Sequence, residues 1–343
     1  MKNKYKLWLI VIIALAGCAL ISCDDTIDNN DNKRNLCAGC GKDPCVCEKL
    51  VYCEETGLAF RLINDDMEYS VSAGISTDTE IIIPSVFNDI PVTKINERGF
   101  RYFTNITSVT IPDSVTIIGN EAFYGCGGLL SVIIPGSVTS IGRGAFNGCY
   151  SLMSVTISEG VTSIGESAFF GCGGITNIII PDGVTSIGRN AFNNCGSLES
   201  VIIPGSVMSI GDYAFSGCAG LMSVTISGGV TTIGRGAFNG CSGLMSVTIP
   251  GSLTAISYRM FYRCSSLTRI TIHDGVTRIG DESFSYCGEL TLTVFGITPP
   301  TLDYAAFQFA AIQRIEVPAN SVNAYKAAAN WNAHANKIFE IVP

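Results

Sequence analysis

The chain has 343 residues, 47% of them hydrophobic and 15% charged, with a net charge of −8 at pH 7. That length suits one large or two ordinary domains, and the chain is too apolar and too weakly charged to stay disordered. The acidic balance, with no basic stripe, excludes nucleic-acid partners, and two histidines far apart in sequence (His273 and His334) exclude a histidine-rich metal site and count against histidine-based catalysis.

Taken in chain order, residues 1–22 read as an export signal. Lys2, Lys4 and Lys6 precede an apolar run over residues 7–21, too short and wrongly flanked for a membrane span. Leu20-Ile21-Ser22-Cys23, followed at once by Asp24 and Asp25, resembles the lipobox of bacterial lipoproteins. The resemblance implies that Cys23 becomes the lipidated N-terminus and that the protein meets the membrane through this lipid anchor only. Leu15-Ala16-Gly17-Cys18 is a second match, so Cys18 is the alternative. Cys23 is preferred because the polarity switches sharply after it. Residues 23–36 form an acidic tether that cannot bury a core. Acidic residues after the lipid cysteine also resemble the surface-export signals of some Gram-negative anaerobes, which implies an outer-membrane lipoprotein facing outward.

Residues 37–53 are cysteine-rich. Cys37, Cys40, Cys45 and Cys47 lie within eleven residues, with Cys53 close behind. Cys-x-x-Cys followed by glycine can turn two thiolates onto one zinc ion, and disulfides are the alternative in an exported chain. No other cofactor is expected.

Residues 54–99 read as an N-terminal cap and first degenerate coils, with Asn64-Asp65-Asp66 as a turn and Thr79–Pro84 (TEIIIP) as an early strand. From residue 100 the sequence repeats every 23 residues. Phenylalanine stands at 100, 123, 146, 169, 192, 215, 238, 261, 284 and 307, and cysteine at 126, 149, 172, 195, 218, 241, 264 and 287. Such a fixed period marks a solenoid. In one unit, Leu129, Val132 and Ile134 form a strand with its apolar side inward, and Pro135-Gly136 turns the chain. Val138 and Ile141 point inward on a second extended segment. Ala145, Phe146 and Cys149 close the wedge on a short turn or helical piece. The cysteines read as a buried ladder of small apolar side chains and the phenylalanines as core. The expected fold is a β-rich solenoid of about ten coils at the ~4.8 Å strand spacing.

Phe-x-x-Cys-x-x-Leu-x-x-Val-x-Ile-Pro together with Ile-Gly-x-x-Ala-Phe resembles the BspA-type leucine-rich repeats of bacterial surface proteins, over roughly residues 80–320. The resemblance implies a right-handed leucine-rich-repeat coil stack over residues 100–296. Residues 297–343 would hold a degenerate last coil and a C-terminal helical cap, with a helix around Tyr325–Trp331. It also implies adhesion or another protein–protein interaction, with host extracellular matrix or another cell surface as partner.

The expected partner-binding face is the outward side of the repeated strands: Ser131, Ile133, Ser154, Thr156, Asn177, Ile179, Ser200, Ile202, Ser223, Thr225, Ser246, Thr248, Arg269 and Thr271. Tyr124, Tyr150, Tyr258, Tyr262 and Tyr286 fall near the turns and mark a second candidate surface. His273 is expected to be solvated, and His334 shows no partner in the sequence. No nucleophile elbow, phosphate loop or zinc-protease helix motif is present, and carboxylates do not recur in register, so no catalysis is expected. A surface glycan-capture lipoprotein and a periplasmic scaffold lipoprotein are the alternative functions.

Overall fold

The computed structural model describes residues 50–65 and 67–342. Each repeat forms one coil with three sides. The first side is a strand of three or four residues such as Ser131–Ile134, whose residues alternate outward and inward. Its successors stack in register and parallel, Ser131 beside Ser154 and Ile134 beside Ile157. The result is a twelve-stranded sheet running from Glu80–Ile82 to Ile338–Glu340. This exceeds the expected ten coils because the degenerate units at both ends also contribute strands.

The second side is a two-residue strand such as Ser140–Ile141, again parallel and in register with its neighbours. The third side is built from successive turns and contains no helix, contrary to the helical pieces allowed for. It carries its own inter-coil bonds: Glu121, Phe123 and Gly125 each donate an N–H to the next coil, at 2.7 Å. Stacking therefore satisfies the backbone on all three sides, which no single coil could do.

The inward side chains are those the period marks. Leu129, Val132, Ile134, Val138, Ile141, Ala145, Phe146 and Cys149 are all buried. From Phe100 to Phe307 the rings stack face to face, centroids 5.1–5.5 Å apart and planes within 12°. Where proline gives way to Ser158 or Ser227 after the strand, the turn persists, with N–H bonds from Val161 and Val230 closing onto those residues.

The ends are capped. Antiparallel strands Leu50–Tyr52, Ala59–Ile63 and Glu68–Ser72 lead into Ile90–Ile95, the start of the short-strand sheet. Phe60 stacks on Phe87 there, 4.0 Å apart. At the other end the expected helix is shorter and earlier: an α-helix covers Val322–Ala327, and Trp331 instead opens a 3₁₀ segment, Trp331–Lys337. Trp331 is buried and donates its indole N–H to the Pro300 carbonyl at 2.8 Å, while the Tyr325 hydroxyl donates to the Gly296 carbonyl at 2.8 Å. No helix among the described residues is long and apolar enough to cross a membrane.

The short-strand sheet has one interruption. It runs unbroken to Thr232–Ile233 and resumes as a separate three-stranded sheet of Ala255–Ile256, Arg278–Ile279 and Thr301–Leu302. The residue after the strand is glycine in most coils. A Cβ there would lie 2.4–2.7 Å from the preceding coil's main chain at Gly142, Gly165, Gly188, Gly211, Gly234 and Gly280. In the coil that begins the second sheet this residue is Ser257. The ladder stops at this coil, whereas Asp303, at the same position two coils on, keeps the main-chain bond to the Ile279 carbonyl at 3.0 Å, so it is the separation of this coil from its predecessor and not a side chain as such that breaks the sheet.

Candidate functional site

The outer face of the twelve-stranded sheet is the surface the repeat pattern singles out. Alternation turns one side chain of each pair inward and the next outward, so the outward residues form columns. One column runs Ser131, Ser154, Asn177, Ser200, Ser223, Ser246 and Arg269, paired coil to coil. In the second column Ile133 lies beside Thr156, Ile202 between Ile179 and Thr225, and Thr248 beside Thr271. All fourteen are exposed except Thr271, which is half-buried. Ile133, Ile179 and Ile202 are 63%, 74% and 65% exposed. A third column was missed in the sequence: Leu130, Met153, Met222 and Met245 are also exposed, one residue before the strands. Each directly follows an inward leucine, which was the available signal. The face is flat, weakly charged and apolar in patches, and flexible methionines let it adapt to a partner.

The turn side carries the tyrosines, as expected, concentrated toward the two ends. At the N-terminal end Arg101 lies over the rings of Tyr102 and Tyr124, 4.8 and 5.0 Å from their centroids. Glu121 is bound by Arg98 at 3.0 Å and Arg101 at 3.5 Å. The hydrogen bond from Arg98 holds the Glu121 carboxyl below its ordinary range. Tyr150 is exposed one coil further on. At the C-terminal end Arg259 lies over Tyr258 and Tyr262 and pairs with Glu282 at 2.8 Å. Arg263 lies over Tyr262 and Tyr286, and Tyr286 stacks on Phe309 at 4.7 Å. In the middle coils the positions of Tyr124 and Tyr262 hold Asn and Ser apart from Phe170, and the one tyrosine on this side is Tyr213, with Arg235 over its ring at 5.7 Å.

The cysteine ladder is not part of any surface. Each thiol from Cys126 to Cys287 is buried and donates to the carbonyl of the phenylalanine 26 residues earlier, at 3.0–3.3 Å. Burial pushes the thiols of Cys218 and Cys287 up to about 12 and those of Cys172, Cys195, Cys241 and Cys264 well up from their ordinary value. A thiol held protonated is a poor nucleophile and a poor ligand.

His273 is exposed, and its ring stacks on Phe295 at 5.3 Å. His334 does have a partner: it packs edge-on against Phe307, and burial, with Lys337 nearby, lowers its pKa. Among the described residues no three His, Cys, Asp or Glu side chains are grouped to hold a metal ion. Cys18, Cys23, Cys37, Cys40, Cys45 and Cys47 lie outside the described residues.

The description of the BspA type leucine-rich repeat region matches residues 93–222 and 209–334, in six copies. Solved structures with a similar chain include the T. pallidum leucine-rich repeat protein, 23% identical over 67% of this chain and 86% of that one, TM-score 0.41. A leucine-rich cell surface protein from Faecalibacterium prausnitzii A2-165 is 26% identical over 84% and 94%, TM-score 0.33. A leucine-rich repeat protein from Bacteroides ovatus is 23% identical over 83% and 98%, TM-score 0.39. No curated protein matches the chain.

Proposed function

Because the chain belongs to the BspA-type leucine-rich repeat family, we propose that it is a non-catalytic, lipid-anchored adhesion protein that binds a protein partner at the cell surface. The observation that carries this reading is the unbroken outer face of the twelve-stranded sheet. It offers isoleucines and methionines to a partner from Ile133 to Met245, framed by serine and threonine. Such a face suits weak contacts multiplied over many copies on a cell, because tethering converts each further contact into an effectively intramolecular one. Host extracellular matrix or another cell surface is the partner class. Cys23 carries the lipid in this reading, Cys18 being its alternative, and residues 24–36 supply the reach. The cluster Cys37, Cys40, Cys45 and Cys47 stiffens the base of the stalk, through zinc or disulfides.

Protease shaving of intact cells tests the reading, with a periplasmic protein as control. Loss of the coil stack with the control intact is the expected result. Protection of the stack would overturn surface adhesion in favour of a periplasmic scaffold. The double variant Cys18→Ala/Cys23→Ala should leave the membrane fraction, and retention there would overturn the lipid anchor.

A further inference from the structure

We infer that the Arg263–Tyr286–Phe309 column on the turn side of the last coils is a docking site for an acidic segment of a partner polypeptide. The inference rests on the reading of the chain as a protein-binding repeat, but not on its lipid anchor or its location.

The first observation is conformational. The second residue after each core phenylalanine adopts a left-handed backbone. Glycine fills this position at Gly125, Gly148, Gly171, Gly217 and Gly240, with φ between 71° and 75°. Bulky L-residues rarely adopt this region, because Cβ crowds the neighbouring carbonyl. Tyr102 and Asn194 also stand there singly, at φ 59° and 61°, but three consecutive coils place Arg263, Tyr286 and Phe309 there, at φ 59°, 59° and 60°. The side chains do not fold away into the core: Arg263 and Tyr286 are exposed and Phe309 is 66% exposed. Left-handed residues with side chains recur on the turn side, Glu121, Tyr213 and Arg259 among them, so what sets this column apart is the succession of three large exposed side chains where most coils carry glycine.

The second observation is electrostatic. The carboxylates around the column already have partners. Glu282 is held by Arg259, Asp303 by Arg278, and Asp281 accepts the Ala305 N–H at 3.0 Å. Among the described residues Arg263 has no carboxylate within ion-pair distance, only the rings of Tyr262 and Tyr286 at 5.3 and 5.7 Å. At the N-terminal end, by contrast, Arg98 and Arg101 both have a carboxylate partner, Glu121. The background potential agrees. Residues 50–254 contain seven Lys and Arg against sixteen Asp and Glu, whereas residues 255–342 contain seven of each. An acidic partner is repelled by most of the stack and accepted by its end.

The third observation chooses between a polypeptide and a glycan. Sugars stack on open aromatic faces. Here Tyr286 is stacked on Phe309 and has the Arg263 guanidinium over its ring, so the tyrosine offers mainly its edge and hydroxyl, and Phe309 is the one ring of the column left largely open. A guanidinium beside aromatic edges matches a carboxylate flanked by apolar side chains. Tyrosine and arginine together are also the residues that dominate protein–protein hot spots. Three coils at ~4.8 Å spacing span about three residues of extended peptide.

The test uses the full chain and fluorescence anisotropy of a short labelled peptide alternating glutamate with leucine. The same peptide with glutamine for glutamate and a sulfated oligosaccharide serve as comparisons. The glutamate peptide should bind in a salt-sensitive manner, and Arg263→Gly should weaken it roughly tenfold or more. The triple variant Arg263→Gly/Tyr286→Gly/Phe309→Gly should abolish binding without lowering Tm, because glycine is what five other coils use at this φ. A clear fall in Tm would mean that the column is structural packing and overturn the site. Absence of glutamate-peptide binding, or preference for the oligosaccharide, would overturn the ligand class. Binding unchanged in the triple variant but lost in Ile179→Ser/Ile202→Ser would move the contact to the sheet face, overturning this site while leaving the proposed function standing. Protection from shaving would overturn that function while leaving the peptide site intact.

Discussion

The Ser257 hydroxyl donates to the Gly234 carbonyl at 2.8 Å, spanning the gap where the short-strand sheet is interrupted. One side-chain bond thus stands where neighbouring coils use main-chain bonds such as Gly234 N–H to the Ile210 carbonyl, 2.8 Å. In a repeat array, stability is carried by nearest-neighbour interfaces, so a weak interface divides the array into cooperative units. Hydrogen exchange should show residues 255–302 of this sheet opening separately from residues 117–233. Ser257→Gly should merge the two and raise stability by about 1 kcal/mol. The converse variant, Gly211→Ser, places a Cβ 2.5 Å from the Arg189 nitrogen and should lower stability by about 1–3 kcal/mol. Uniform exchange across both segments would sink the idea.

The phenylalanine column should be the most sensitive part of the core. Phe192 is fully buried between Phe169 and Phe215, at 5.3 and 5.2 Å. Phe192→Ala removes both stacks and leaves a cavity, at a cost of about 3–5 kcal/mol. Phe192→Leu keeps most of the volume and should cost far less. Guanidinium unfolding of the two variants checks this, and equal losses would show that the ring volume is not what matters.

Ser283 stands in the column held elsewhere by Ala122, Ala145, Ala168 and their successors. It is fully buried, and its hydroxyl has no hydrogen-bond partner among the described residues. Ser283→Ala should therefore raise stability, by about 1 kcal/mol, since a buried unpaired hydroxyl is a net penalty. A lowered Tm would mean that the hydroxyl is satisfied in solution.

The thiol ladder should make stability depend on alkaline pH. Folding raises these pKa values from an ordinary 9.0, to about 12 for Cys218 and Cys287. Above the ordinary value the unfolded chain gives up protons that the folded chain keeps. The stabilisation is therefore whole below about pH 9 and is lost as pH rises toward 12, by about 1.4 kcal/mol per pH unit for each such thiol. Denaturation midpoints under reducing conditions should fall over this range, and less steeply for Cys218→Ala. A flat profile would contradict the burial of the ladder. At neutral pH the ladder thiols should resist alkylation until the chain unfolds.

The core and the register were legible in the residues alone. Columns of Phe, Cys and Ile at a constant 23-residue step admit one stacking, because any slip would expose a ring or bury a polar residue. The Ser131/Ile133 face was legible for the same reason, since strict alternation assigns each strand residue a side. Leu130, Met153, Met222 and Met245 escaped because they precede the strands, where alternation does not apply. Trp331 was correctly placed in the cap, but the helix around it was misplaced: the chain breaks at Asn330, with φ 64°, before the 3₁₀ segment begins.

Period and polarity thus determined the coil stack, its contents and its flat outer face, because burial depends on side-chain character and spacing. The tertiary structure alone decided the gap at Ser257, since whether a two-residue strand joins the ladder depends on how closely its coil approaches the preceding one. The 23-residue step already puts Arg263, Tyr286 and Phe309 in one column, but the tertiary structure alone showed its left-handed backbone and the carboxylates taken up around it, because the sign of φ and the pairing of each neighbouring carboxylate arise only once the coils are stacked.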